Sequence, residues 1–139
     1  MRRAVTLVDL ALALTLSALA AAIALPRVGR LADALRVRGA ANDLVASLAL
    51  ARQAALARGA LATLGADTLT GAVWVECAGD TLSRRPLTTH WGVRLSASRP
   101  AVRFAPTGLG YGAANTTLVV RRGGASDTIV VSRLGRVTG

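Results

Sequence analysis

Between Val5 and Leu25 the chain carries a single charge, the carboxylate of Asp9. An acid in a membrane helix costs roughly 2.5–3.5 kcal/mol at its centre and less near an end, so it is expected to have a partner. Few other residues could do chemistry. His90 is the one histidine and Cys77 the one cysteine, so no zinc-type ligand set assembles and no internal disulfide forms. His90, beside Trp91, reads as a surface or edge residue at the start of a strand. Cys77, in a β-rich stretch, reads as a small buried hydrophobe. No nucleophile elbow frames a serine. Gly108-Leu-Gly-Tyr-Gly112 does not lead from a strand into a helix, so its glycines are turn residues rather than a phosphate cradle. The expectation is a protein that is not an enzyme, with no cofactor, no metal and no small-molecule substrate.

The remaining functional signal is charge. All 17 basic residues are Arg, and with seven acids they give a formal net charge of +10. Such a surplus favours contact with phosphate backbones, anionic lipid headgroups or acidic proteins. Near the C-terminus Arg121, Arg122, Arg133 and Arg136 form a candidate DNA-binding patch. The same arginines also fit a solvated hairpin edge that discourages sheet-to-sheet pairing.

Four segments must position these residues: 1–4, a short leader; 5–25, a transmembrane and assembly helix; 26–59, an amphipathic continuation; 60–139, a β domain. At 1.5 Å per residue, the apolar stretch matches a bilayer core of about 30 Å. Arg2 and Arg3 ahead of it favour a cytoplasmic N-terminus, which puts the rest of the chain across the membrane. Three readings compete for this stretch. It is a secretory signal cut near Ala22-Ile23-Ala24, an uncleaved anchor, or a retained helix with the cut ahead of it. Only the third gives Asp9 a partner. Cleavage between Ala4 and Val5 frees an α-amine on Val5, mostly protonated at neutral pH. Packed beside another copy or a related subunit, that amine would neutralise the neighbour's Asp9 and set the stagger between helices, because buried ion pairs are better at fixing register than at adding stability.

Past Pro26, where a kink or local break is expected, Val28, Leu31, Ala32 and Leu35 form one apolar stripe. Ala41, Leu44, Val45, Leu48, Ala55 and Leu56 form a second, turned around the axis near Gly39. The first stripe suits neighbouring subunits and the second the protein's own sheet. Arg30, Asp33, Arg36, Asp43, Arg52 and Arg58 read mostly as solvated positions, and Gly59 as a helix stop. The period then falls to two. Strands are expected at Val73–Val75, Trp91–Leu95, Val102–Phe104, Thr117–Val120 and Thr128–Val131, with a hairpin loop over Arg122–Asp127. The fold class is α+β, a long N-terminal helix packed on a small antiparallel sheet or sandwich.

Arg3-Ala-Val-Thr-Leu-Val-Asp-Leu10 resembles the processing motif of type IV pilins and type II secretion pseudopilins, whose leader ends in Gly before Phe-Thr-Leu-Ile-Glu-Leu. Thr6, Leu7 and Leu10 match as they stand; Ala4 replaces Gly, Val5 replaces Phe, and Asp9 replaces Glu. Ala41-Asn-Asp-Leu-Val-Ala-Ser-Leu-Ala-Leu-Ala-Arg52, Phe104-Ala-Pro-Thr-Gly108 and Val130-Val-Ser-Arg-Leu-Gly-Arg-Val137 are similar to the GspH/FimT-like minor pseudopilins. The resemblance implies a pilin-like fold and a structural subunit of a secretion or pilus filament. It also implies a prepilin peptidase acting between Ala4 and Val5, N-methylation of Val5, and other pilin or pseudopilin subunits as partners. The location implied is the inner membrane, spanned once, with the C-terminal domain in the periplasm and filament association after processing. Some FimT-like relatives bind DNA through a Gly-Arg-x-Arg element. Gly135-Arg136-Val137-Thr138 keeps its first Arg and lacks the second. From a different class, a β domain secreted by ordinary signal peptidase remains the alternative.

Overall fold

In a computed structural model, residues 6–112 and 115–139 are described. The chain falls into two compact units, Met1–Ala32 and Asp33–Gly139. Within the first, helix α1 (Leu7–Arg58) begins directly after Thr6. Pro26 lies inside α1, and the local break expected there does not form. The helix runs unbroken past the lost N–H.

In the second unit α1 runs to Arg58, where Gly59 at φ 58° takes the left-handed conformation that ends the helix. Its buried face begins at Val37 and continues through Ala40, Ala41, Leu44, Leu48 and Ala51 to Ala55, the three-and-four spacing of one helical stripe. Val45 and Leu56, expected on that stripe, are instead 37% and 51% exposed. At 100° per residue, each is turned a quarter of the circumference away from its buried neighbour.

Among the described residues eight strands follow. β1 (Ala62–Asp67), β2 (Ala72–Cys77), β3 (Asp80–Pro86) and β5 (Ala101–Phe104) form one sheet in the order β3-β2-β1-β5. β4 (Arg94–Ala97), β6 (Thr116–Arg122), β7 (Ala125–Val131) and β8 (Val137–Thr138) form the other, in the order β4-β6-β7-β8. Every pairing is antiparallel. Alternation buries Leu64, Val73 and Val75 from the first sheet and Leu118, Val120 and Ile129 from the second, with Phe104 fully enclosed among them. Two expectations shift. Trp91 does not open a strand but closes a five-residue helix, α2 (Leu87–Trp91), and Gly92 at φ 65° caps it by donating its N–H to Thr88 O at 2.8 Å. The hairpin loop is shorter than Arg122–Asp127, because Arg122 already pairs with Ala125 and only Gly123-Gly124 turn the chain.

Three acids tie these elements together. Asp43 accepts from Arg85 Nη1 and Trp91 Nε1, each at 2.8 Å, so α1 holds β3 and α2 through one carboxylate. The Trp91 ring lies over Gly39, where a Cβ would meet Cη2 and Cζ3 at 2.5 Å; the glycine is a packing requirement. Asp33 takes Arg122 Nε at 2.8 Å, while the same guanidinium donates to Gly92 O at 2.7 Å. Arg58 reaches Asp80 at 2.8 Å and Cys77 O at 3.2 Å. Asp33, Asp43 and Arg58 are therefore fixed contacts rather than the freely solvated positions their sequence context implied. All three pairs keep partial solvent access, and such pairs contribute on the order of 1 kcal/mol or less.

Two outcomes are expected. Leu44→Ala removes a fully buried side chain from the helix–sheet seam and costs about 2–5 kcal/mol. Thermal unfolding followed by tryptophan fluorescence should show a midpoint lower by at least about 8 °C. In the β1–β2 turn, the Thr70 hydroxyl and then the Leu69 N–H hold the Asp67 carboxyl below its ordinary value. A depressed carboxylate stabilises the fold above its unfolded pKa of about 3.9 and loses that contribution as pH falls through the folded value. The Leu69 amide resonance should accordingly titrate with a midpoint below 3.9 and stay flat at neutral pH; a midpoint above it would contradict the turn geometry.

Candidate functional site

Thr6 and Asp9 at the start of α1 are joined by three hydrogen bonds. The Thr6 hydroxyl and N–H donate to Asp9 Oδ2 at 2.8 and 3.1 Å, and the Asp9 N–H donates back to Thr6 Oγ1 at 3.2 Å. With Leu7 the first helical residue, this is a capping box, Thr at the N-cap and the acid three positions on. It satisfies two of the N–H groups that an α-helix leaves without internal partners. Asp9 thus has a local function that charge reasoning about the apolar stretch overlooked. The signal was present as Thr-x-x-Asp ahead of a hydrophobic run, and Thr6 is the residue it should have brought in. Both side chains are exposed, so the carboxylate caps the helix while open to the surroundings. Ala4 and Val5, the expected cleavage and methylation positions, lie outside the described residues.

Beyond the box, Leu10, Leu14, Leu16, Leu19, Ile23 and Leu25 are each more than half exposed. A window of mean hydropathy 2.2 in α1 has no part buried, and it is long and apolar enough to cross a membrane. Val28, Leu31 and Leu35 are likewise 61% exposed. No element of the described residues covers this stripe.

The four arginines of the expected C-terminal patch separate. Arg122 is taken up by Asp33 and the Gly92 carbonyl, as above, and is only half-buried fold machinery. Arg121, one residue away, faces the other side of its sheet, directly opposite Arg94 on β4 and Ser126 on β7. Arg133 and Arg136 share the turn that leads into β8; both side chains are exposed, and the Arg136 N–H is held by Ser132 Oγ at 3.1 Å. The arrangement brings Arg133 and Arg136 into one turn but does not gather all four. Arg94 is the arginine the sequence reading missed, because strand register alone makes it Arg121's neighbour.

The one histidine and the one cysteine stand apart. His90 is exposed on α2, edge-on to Trp91 with ring centroids 4.9 Å apart. Cys77 is buried and its thiol points to Ala54 O at 3.6 Å. Among the described residues, no three His, Cys, Asp or Glu side chains converge to hold a metal.

Residues 40–135, spanning most of the two-sheet unit, match the family of the type II transport protein GspH. Two crystal forms of the Pseudomonas aeruginosa type IV minor pilin FimU share the fold. One superimposes with a TM-score of 0.62 at 16% identity, covering 73% of this chain and 86% of that one. The other gives 0.60 at 18% identity, covering 73% and 90%. No curated protein sequence is a significant match. A family match over this much of the chain, on a helix-and-two-sheet fold shared with a minor pilin, places the protein in the GspH family of pilin-like proteins.

Proposed function

We propose that the protein is a minor pseudopilin or pilin subunit, inserted in the inner membrane as a precursor, trimmed between Ala4 and Val5, and built into a periplasmic filament. Its work is structural: the apolar half of α1 packs among other subunits, and the two-sheet unit faces neighbours or cargo. One observation carries this reading. A wholly exposed apolar helix, with an acid at its start, is joined to a folded unit of the GspH family. A discarded signal peptide or a simple anchor would gain only the helix cap from that acid, and the cap does not need its charge. Arg2 and Arg3 ahead of the stretch favour a cytoplasmic N-terminus, and Arg27, Arg30, Arg36 and Arg38 after it do not hold the two-sheet unit back. A folded domain crosses largely regardless of such charges.

The mass of the mature N-terminus from the native host tests the reading. A chain beginning at Val5, with an added methyl group, is expected. A start near residue 25 would mean a secreted domain and overturn the assembly role.

The capping box gives Asp9 two separable duties, and two variants divide them. Asp9→Asn keeps an oxygen for Thr6 and removes the charge; it should leave membrane insertion and helix content intact while lowering recovery in sheared filaments at least tenfold. Thr6→Val breaks the box but keeps the charge, at a cost of about 0.5–2 kcal/mol to the helix end, and should still assemble. Equal behaviour of the two variants would reduce Asp9 to a cap.

A further inference from the structure

The end of the two-sheet unit where α1 enters it carries positive charge that the fold does not use. Asp33 is the first residue of that unit, and the tip of the β6–β7 hairpin closes on it. Arg122 Nε donates to its carboxylate at 2.8 Å, and a Cβ on Gly123 would run into the same group. Strand register then sets Arg121 directly opposite Arg94, both exposed on the outer face of the β4-β6-β7-β8 sheet. Residues so opposed bring their Cβ atoms to about 4.5–5.5 Å, and like charges there are destabilising. Neither guanidinium has an ion-pair partner among the described residues. A pair that costs the sheet stability and holds nothing within the chain points to an anion outside it.

The outer face is graded. Its next rows along the strands, Ser96, Val119 and Thr128, then Thr117, Val130 and Thr138, hold hydroxyls and valines and no acid. The charge is confined to the row nearest Asp33. On α1, Arg36 and Arg38 are also exposed, three and five residues past Asp33 and so within about 8 Å of it along the axis. The acids close by are engaged or turned away. Asp33 and Asp43 hold Arg122 and Arg85, and Asp127 stands opposite buried Val120, on the other face of the sheet.

The chain itself brings an anionic surface to this end. Eight residues, 26–33, lead from Leu25, the last of the apolar stretch, to Asp33, and their backbone spans at most about 29 Å even when fully extended. We infer that Arg94 and Arg121, with Arg36 and Arg38, dock the two-sheet unit on anionic phospholipid headgroups of the bilayer that holds the apolar half of α1, which rests on the membrane insertion proposed above. A headgroup phosphate between the two guanidiniums replaces a repulsion with charge-assisted hydrogen bonds. The attraction fades within a Debye length, about 8 Å at physiological salt. It is therefore reversible, and holds the unit at the bilayer without opposing later withdrawal into a filament.

Energy transfer to headgroup-labelled lipid tests this on the full chain. Gly124→Cys puts a donor dye at the hairpin tip, where a Cβ meets nothing within 4 Å. Thr107→Cys puts one on an exposed loop whose neighbour Gly108 lies against Leu56, roughly 34 Å from the level of Asp33 along α1. The native Cys77 is buried. Vesicles of phosphatidylcholine alone are compared with vesicles about one-third phosphatidylglycerol, in about 0.15 M salt. Transfer from the tip should rise at least twofold with phosphatidylglycerol, more than from Thr107→Cys, and fall back in about 1 M salt. Adding Arg94→Ser and Arg121→Ser should remove at least half of that gain without lowering the thermal midpoint, since a repulsive pair is lost; Arg94→Lys with Arg121→Lys should keep it. Equal transfer in both vesicles, or a gain untouched by the serine variants, would overturn the proposal. So would the absence of a gain together with a labelled single-stranded oligonucleotide that the parent chain binds and the serine variant releases, which would assign the pair to nucleic acid. Flotation separates the docking from the insertion beneath it. A chain that floats with both vesicles and shows no gain overturns the docking alone, whereas one that fails to float overturns the membrane insertion as well.

Discussion

The two-sheet unit depends on how closely one helix face can approach two sheets at once. That face is built largely of alanine: Ala40, Ala41, Ala51, Ala54 and Ala55 alternate with the larger Leu44 and Leu48. These alanines and the two leucines are buried in one core with residues of both sheets, a core with few aromatic residues. The sheets share no continuous ladder; their strand orders end separately at β5 and β8. A core shared with α1 joins them, reinforced by Asp43 toward β3 and α2 and by Asp33 toward β6, and Gly110, bridged to Phe104, donates its N–H to Arg133 O at 3.1 Å. The high alanine content, which in composition alone looks like bias, becomes a geometric necessity along this one stripe.

How much of this was legible depends on the range over which the signal acts. The helix, its Gly59 stop, the change of period after residue 60 and the strands centred on Val73–Val75, Val102–Phe104, Thr117–Val120 and Thr128–Val131 are local patterns, and they were readable. β1 and β3 were not. Ala-Thr-Leu-Gly-Ala-Asp alternates only because alanine fills the buried positions, and Asp-Thr-Leu-Ser-Arg-Arg-Pro is an edge strand with little apolar pattern at all. α2 reads as a strand start because five residues are too few to show a helical period. The Asp33–Arg122 and Asp43–Arg85 partners are far apart in the chain, so nothing local distinguishes those acids from solvated ones. At the N-terminus the position of Asp9 was plain, but one reading of its charge obscured the Thr6 box that any helix start invites.

The distribution of charge follows from the same contacts. Among the described residues three acids, Asp33, Asp43 and Asp80, are matched with Arg122, Arg85 and Arg58 in pairs that keep solvent access. Each pair removes one charge of either sign, so the formal surplus of +10 remains on the other arginines. Arg94 and Arg121 are even set opposite each other across a strand pair. Like charges in that relation lower sheet stability unless solvent or an anion lies between them. Solubility gains from such a surface, and association with acidic partners becomes fast and salt-dependent.

Cys77 sits where α1 meets β2, 1% exposed, with its thiol against the Ala54 carbonyl. In an oxidising compartment a free surface thiol would be open to small thiols or to another chain, and a chain with one cysteine has no internal partner to forestall this. Burial therefore acts as chemical protection as well as packing. It also makes the sulfur a clock: an alkylating reagent reaches it only when the helix–sheet seam parts, so the rate of labelling measures how often the native structure breathes at its most important joint.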